Sequence, residues 1–195
     1  MIIHIVKETP QHGIYIKMFT AEWCPPCQRT KKFLLGDNKN DKDILKKNIY
    51  ISLINDYENN GIYKHIQFLS PEKKKLYYDL GFKNIENIKL KIDCQLSLFL
   101  LNFANQIINK ENQTLIIYFG ILVFLERNLV INLHFVDVDD TINVNIVKQY
   151  QFRSIPTFTV DLIGSSFNTA IVPGSFMNYS GLLNLIIKPI IQFIN

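Results

Sequence analysis

The chain has 195 residues, 48% hydrophobic and 19% charged, which is the make-up of a folded domain with a sizeable core and excludes global disorder. Its net charge of +4, from 21 basic and 17 acidic residues, is too mild for a nucleic-acid footprint, so no nucleic-acid partner is expected. Of the basic residues 18 are Lys and only three are Arg (Arg29, Arg127, Arg153), a bias that fits an A/T-rich genome better than a function.

In chain order, Ile2 to Val6 reads as a first strand. The opening residues include His4, Lys7 and Glu8 and have no apolar signal core, so no signal peptide is expected; a cytoplasmic pool and incorporation into a viral particle both fit the composition. The run Ile14-Tyr15-Ile16-Lys17-Met18-Phe19-Thr20 is a strand of β-branched and aromatic residues. It leads into Trp23-Cys24-Pro25-Pro26-Cys27, and a helix follows with Phe33 and Leu34 on its apolar side and Gly36 as its stop. Pro25 and Pro26 suit a first turn, where the amides they lack have no intrahelical partner.

A C-x-x-C pair is also half of a zinc site. A zinc ribbon needs a second pair, and Cys94 with the scattered His4, His12, His65 and His134 does not supply one, so no metal is expected. Three cysteines are likewise too few for a disulfide scaffold. At a helix N-terminus, however, unpaired N–H groups and the positive dipole end stabilise a thiolate, the nucleophilic form of cysteine. On this reading Cys24 is the exposed attacking thiol. Cys27, one turn along, is the shielded thiol that resolves a mixed disulfide.

Residues 38–126 read as mainly helical. Gly36 to Asp43 is a polar boundary, and Ile44, Leu45, Ile51, Leu53 and Ile54 have helical spacing. Ser70-Pro71-Glu72-Lys73 is a helix start, and Gly81 is the expected stop. Ile92, Leu96, Phe99, Phe103 and Ile107 form an apolar stripe, on a helix in which Cys94 reads as a buried inert thiol. Leu115 to Leu125 is the longest apolar run, at 11 residues, and periodicity alone fits a helix or a strand; a helix is favoured. It falls short of the roughly 18 residues that a membrane span needs, so no membrane span is expected. Lys73-Lys74-Lys75 reads as a solvated helix face. The N-x-S/T patterns at Asn112 and Asn178 read as accidental without an export signal.

The block Phe19-Thr20-Ala21-Glu22-Trp23-Cys24-Pro25-Pro26-Cys27 resembles the thioredoxin family. Two further blocks support the resemblance, in the order that fold requires. One is Val136-Asp137-Val138-Asp139, after the apolar run from Val130 to Phe135; the other is Arg153-Ser154-Ile155-Pro156-Thr157-Phe158. The resemblance implies an α/β, thioredoxin-like fold, with residues 1–37 and 127–195 as a discontinuous domain around a mainly helical insertion, residues 38–126. Its third strand ends at the acidic turn, a short helix spans Asn143 to Tyr150, and strands lie near Thr157 to Leu162 and Thr169 to Val172. A final helix runs from about Ser180 to Phe193. It further implies a cis Ile155–Pro156 bond facing the cysteine pair, and Gly174 in a closing loop that lets a substrate backbone approach.

The implied activity is that of a thiol–disulfide oxidoreductase without metal or organic cofactor. Cys24 and Cys27 form the redox-active disulfide, and Trp23, Pro25, Pro26, Ile155, Pro156 and Gly174 form the substrate surface. Its partners are protein disulfide substrates and a reductase or dithiol donor. The chain departs from the family in three ways. Met18 stands where a buried acid usually exchanges protons with the resolving cysteine, and Phe135 stands at the position of the basic residue opposite; Glu22 is the nearest acid in sequence. Pro25 replaces the commonest glycine, and Lys32 sits near the position of a mid-helix proline. Finally, 110 positions separate Cys27 from Asp137. The last departure and Met18 leave a second reading open: an interaction or assembly module in which the insertion docks a partner. An oxidase or isomerase is a third.

Overall fold

β-branched and aromatic side chains fill Gly13–Thr20, and the segment is buried on both faces, as a central strand requires. This strand, β2, is the middle of a five-stranded sheet in the computed structural model, which describes residues 1–37, 41–59, 62–88, 112–165, 170–173 and 179–195. The others are β1 (Ile2–Ile5), β3 (Val130–Asp137), β4 (Thr157–Ile163) and β5 (Ala170–Pro173), in the order β1-β3-β2-β4-β5. β3 runs parallel to both β1 and β2; β4 runs antiparallel to β2 and β5.

The helices are α1 (Pro25–Leu35), α2 (Lys42–Asn59), α3 (Ile62–His65), α4 (Pro71–Ile88), α5 (Gln113–Asn128), α6 (Val144–Gln149) and α7 (Tyr179–Ile194). The protein is thus mixed α/β. Among the described residues no helix is long and apolar enough to cross a membrane. The stripe from Ile92 to Ile107, Cys94 and Gly174 lie outside the described residues.

Strand alternation divides β2 between two environments. Ile14, Ile16 and Met18 join an apolar cluster with Cys27 and Leu34 of α1, Leu45 and Ile49 of α2, and Ile186 and Ile190 of α7. On the other face Phe19 packs against the rings of Tyr150 and Phe152, 5.4 and 4.6 Å between centroids. There the Lys17 ammonium, nearly buried, pairs with Asp161 at 2.9 Å. His134 of β3 is buried and is hydrogen-bonded through Nδ1 to the Tyr15 hydroxyl at 2.8 Å.

Helices α2, α4 and α5, all from the expected insertion, contribute to the same apolar cluster as the sheet. Leu115 to Leu125 is helical, inside α5. The expected start at Ser70 also holds: its hydroxyl accepts from the Lys73 amide at 3.3 Å, with Pro71 in the first turn. The expected stop at Gly81 does not. The helix continues to Ile88, because Gly81 serves a helix crossing rather than a C-cap. A Cβ built on Gly81 lies 2.1 Å from the Ile116 carbonyl oxygen, and one on Gly120 lies 1.7 Å from that of Tyr77. The missing side chains let the backbones of α4 and α5 touch.

A polar tie joins α2 to α5: the Lys46 ammonium and the Tyr50 hydroxyl both donate to the Glu126 carboxylate. Burial raises the pKa of Glu126, but these hydrogen bonds outweigh it and hold the group below its ordinary range. A carboxylate depressed in this way stabilises the fold above its unfolded-state pKa, and the contribution disappears as pH falls through the folded-state value. Glu126→Gln is therefore expected to lower stability by about 1–2 kcal/mol at neutral pH, with the difference shrinking in acid. Urea unfolding at pH 7 and at about pH 3 measures this; an equal deficit at both contradicts it.

Candidate functional site

The cysteine pair sits where β2 gives way to α1. Cys24 is the N-cap of α1, in extended conformation (φ −91°, ψ 102°), and its sulfur accepts from the Cys27 amide at 3.2 Å. Pro25 and Pro26 occupy the first two helical positions, so no intrahelical hydrogen bond is lost to them. The helix ends at Gly36, whose φ of 72° favours glycine and whose amide donates to the Lys32 carbonyl at 2.8 Å. Cys24 and Cys27 are joined as a disulfide with their Cα atoms 5.2 Å apart. The first turn of α1 holds no acidic residue to oppose a thiolate there.

The Ile155–Pro156 peptide is cis, and it faces the pair. Cys24 Sγ lies 3.8 Å from the Ile155 carbonyl oxygen. In the disulfide this sulfur has no hydrogen, so the approach is a contact; a reduced Cys24 thiol would find an acceptor in that oxygen. Thr157 secures the turn by donating its hydroxyl to the Ser154 carbonyl.

An open groove of about 500 Å³ runs past the pair. The motif segment contributes Trp23, Cys24, Pro25 and Pro26 to its lining. Val138 comes from the turn after β3, and Phe152, Arg153, Ser154 and Ile155 from the turn before β4. Trp23 is 68% exposed, and its indole N–H donates to Asp139 Oδ2 at 2.6 Å. Asp139 is itself placed by its turn, where its amide donates to Asp137 Oδ1 at 3.0 Å. The acidic turn was legible in the sequence, but not its task of holding the indole: a contact between residues 116 positions apart leaves no local signal.

One expectation is corrected. Cys24 is not an exposed thiol; it is 3% exposed in the disulfide, against 0% for Cys27. Its sulfur is approached by the Cys27 amide, by its disulfide partner and by the Ile155 carbonyl, which comes from 131 positions along the chain, and the residue lines the groove. Of the other expected site residues, Trp23, Pro25, Pro26 and Ile155 line the groove and Pro156 follows directly on its last lining residue, while Gly174 lies outside the described residues.

The departures in the acid–base positions have structural counterparts. Met18 is fully buried and pairs with Phe135 across β2 and β3, so a thioether and a ring occupy the adjacent positions at which the resemblance implied an acid and a base. Lys31 of α1 places its ammonium 5.4 Å from the Phe135 ring centroid, which fixes this face as the one beneath the motif helix. Glu22 is exposed in the turn before the motif. One row nearer the motif, Thr20 pairs with Asp137, and its buried hydroxyl has no hydrogen-bond partner among the described residues. Comparison with protein-family models, with curated proteins and with solved structures finds no match.

Proposed function

We propose that the protein is a thioredoxin-like thiol–disulfide oxidoreductase acting on protein substrates. The observation that carries this reading is the position of Cys24 Sγ: at the N-cap of α1, 3.8 Å from the Ile155 carbonyl, at the edge of an open apolar groove. The sheet order β1-β3-β2-β4-β5, with the pair following the central strand and the prolyl turn preceding β4, supports a thioredoxin-like fold.

In the reducing direction the Cys24 thiolate attacks one sulfur of a substrate disulfide. The substrate S–S bond breaks, a Cys24–substrate disulfide forms, and the departing thiolate takes a proton from solvent. Cys27, once deprotonated, attacks Cys24 Sγ, which releases the second substrate thiol and closes the Cys24–Cys27 disulfide. Two electrons and two protons pass to the substrate, and an external dithiol returns them. With Met18 in place of an acid, no carboxylate on β2 takes the Cys27 proton, and the second step is the slow one.

Replacing Cys27 by Ser keeps the attack and removes the resolution. Incubated with an insulin-type disulfide substrate, the Cys27→Ser chain is expected to accumulate an adduct through Cys24 that excess dithiol releases. Mass spectrometry of the non-reduced mixture reads it. If the reduced variant forms no adduct, the exchange reading fails. The second reading, a docking module, rests on Met18 and on the extent of residues 38–126. It requires a Cys24→Ala chain to keep full partner binding and function.

A further inference from the structure

We infer that Arg153 makes this groove selective for substrate segments that carry an acidic side chain beside the disulfide cysteine; the inference rests on the exchange reading above. Of the nine lining residues six are apolar, Cys24 and Ser154 are uncharged, and Arg153 alone bears a formal charge. It is exposed, and among the described residues no carboxylate lies within ion-pair distance of it. The acids of the neighbouring turn are engaged: Asp139 holds the Trp23 indole, Asp137 accepts from the Asp139 amide, and Asp140 accepts from the Ile142 amide. A peptide laid along the groove therefore meets one charge in the lining itself, a guanidinium in no ion pair among the described residues, while the Asp139 carboxylate, held on the Trp23 indole, keeps its negative charge outside the lining.

The residue type matters as well. In a chain with 18 Lys and three Arg, this position holds an arginine. Its planar fork pairs with a carboxylate through two parallel hydrogen bonds, which a lysine cannot do. Arg153 also lies two residues before Ile155, whose carbonyl marks the place of the attacking sulfur. A guanidinium so placed reads a side chain close in sequence to the cysteine under attack, not a distant part of the substrate.

The test uses the reduced full chain and three disulfide-linked peptides that differ only in the residue flanking the cysteine: Asp, Asn or Lys. At low ionic strength the second-order rates are expected to fall in that order, with about three- to five-fold between Asp and Lys, the scale of one exposed ion pair. The spread shrinks toward one as salt rises to about 0.5 M. It disappears in Arg153→Gln and persists in reduced form in Arg153→Lys. Equal rates for the three peptides with the natural chain, or an undiminished spread in Arg153→Gln, overturn the inference and leave exchange standing. No reduction of any peptide, the Asn one included, overturns the exchange reading and this inference with it.

Discussion

Replacing Gly120 by alanine is expected to destabilise the protein by about 3 kcal/mol or more. Two effects compete. Alanine is the better helix former, by about 1 kcal/mol in an exposed helix. Here the added Cβ falls 1.7 Å from the Tyr77 carbonyl oxygen and 2.6 Å from its carbon, and these are backbone atoms that no rotamer change can move. α4 and α5 must separate, losing the packing along the most extensive contact between two elements among the described residues. The crowding term wins, and a fall in Tm of roughly 6–12 °C follows for a chain of this length. Gly164 supplies the contrast: its φ is 82°, but a Cβ there meets nothing within 4 Å. Gly164→Ala is expected to cost only the conformational strain, about 1 kcal/mol. Thermal unfolding of the two variants checks the pair, and a stabilised Gly120→Ala contradicts the close crossing.

Replacing Cys24 by alanine is expected to lower the rate of disulfide exchange by at least about a thousandfold, to the uncatalysed background. No described residue can substitute for it. Cys27 is fully buried and, unlike Cys24, does not line the groove. Cys27→Ser is not equivalent, because it stops the cycle after the first step and leaves an adduct. The two variants therefore separate attack from resolution, which a steady-state rate on either alone does not.

Much of the site was legible in the sequence because its signals are local. Two cysteines three positions apart, two prolines between them and a strand-like run ahead are enough to place the pair at a strand-to-helix junction. Ser70-Pro71 and Gly36 marked helix ends by side-chain and backbone chemistry that acts within one turn. What was misread depends on partners far along the chain. Gly81 has the sequence look of a helix stop, and only the approach of Gly120, with its neighbour Ile116, shows that it is an interior crossing point. Cys24 reads as exposed from its place at the helix N-terminus, but the Ile155 carbonyl, 131 positions away, lies against its sulfur. The hold of Asp139 on Trp23 and the pairing of Lys17 with Asp161 are of the same kind: each is a contact set by sheet register, which a single sequence does not print.

The most direct measurement mixes the reduced chain with a disulfide-bonded peptide in the absence of other thiols and counts the products by mass. The peptide disulfide is expected to open while the protein loses two hydrogens, mole for mole, with the new bond mapped to Cys24 and Cys27 and with no transfer by Cys24→Ala. A peptide left oxidised, or the same transfer by the Cys24→Ala chain, contradicts the exchange reading.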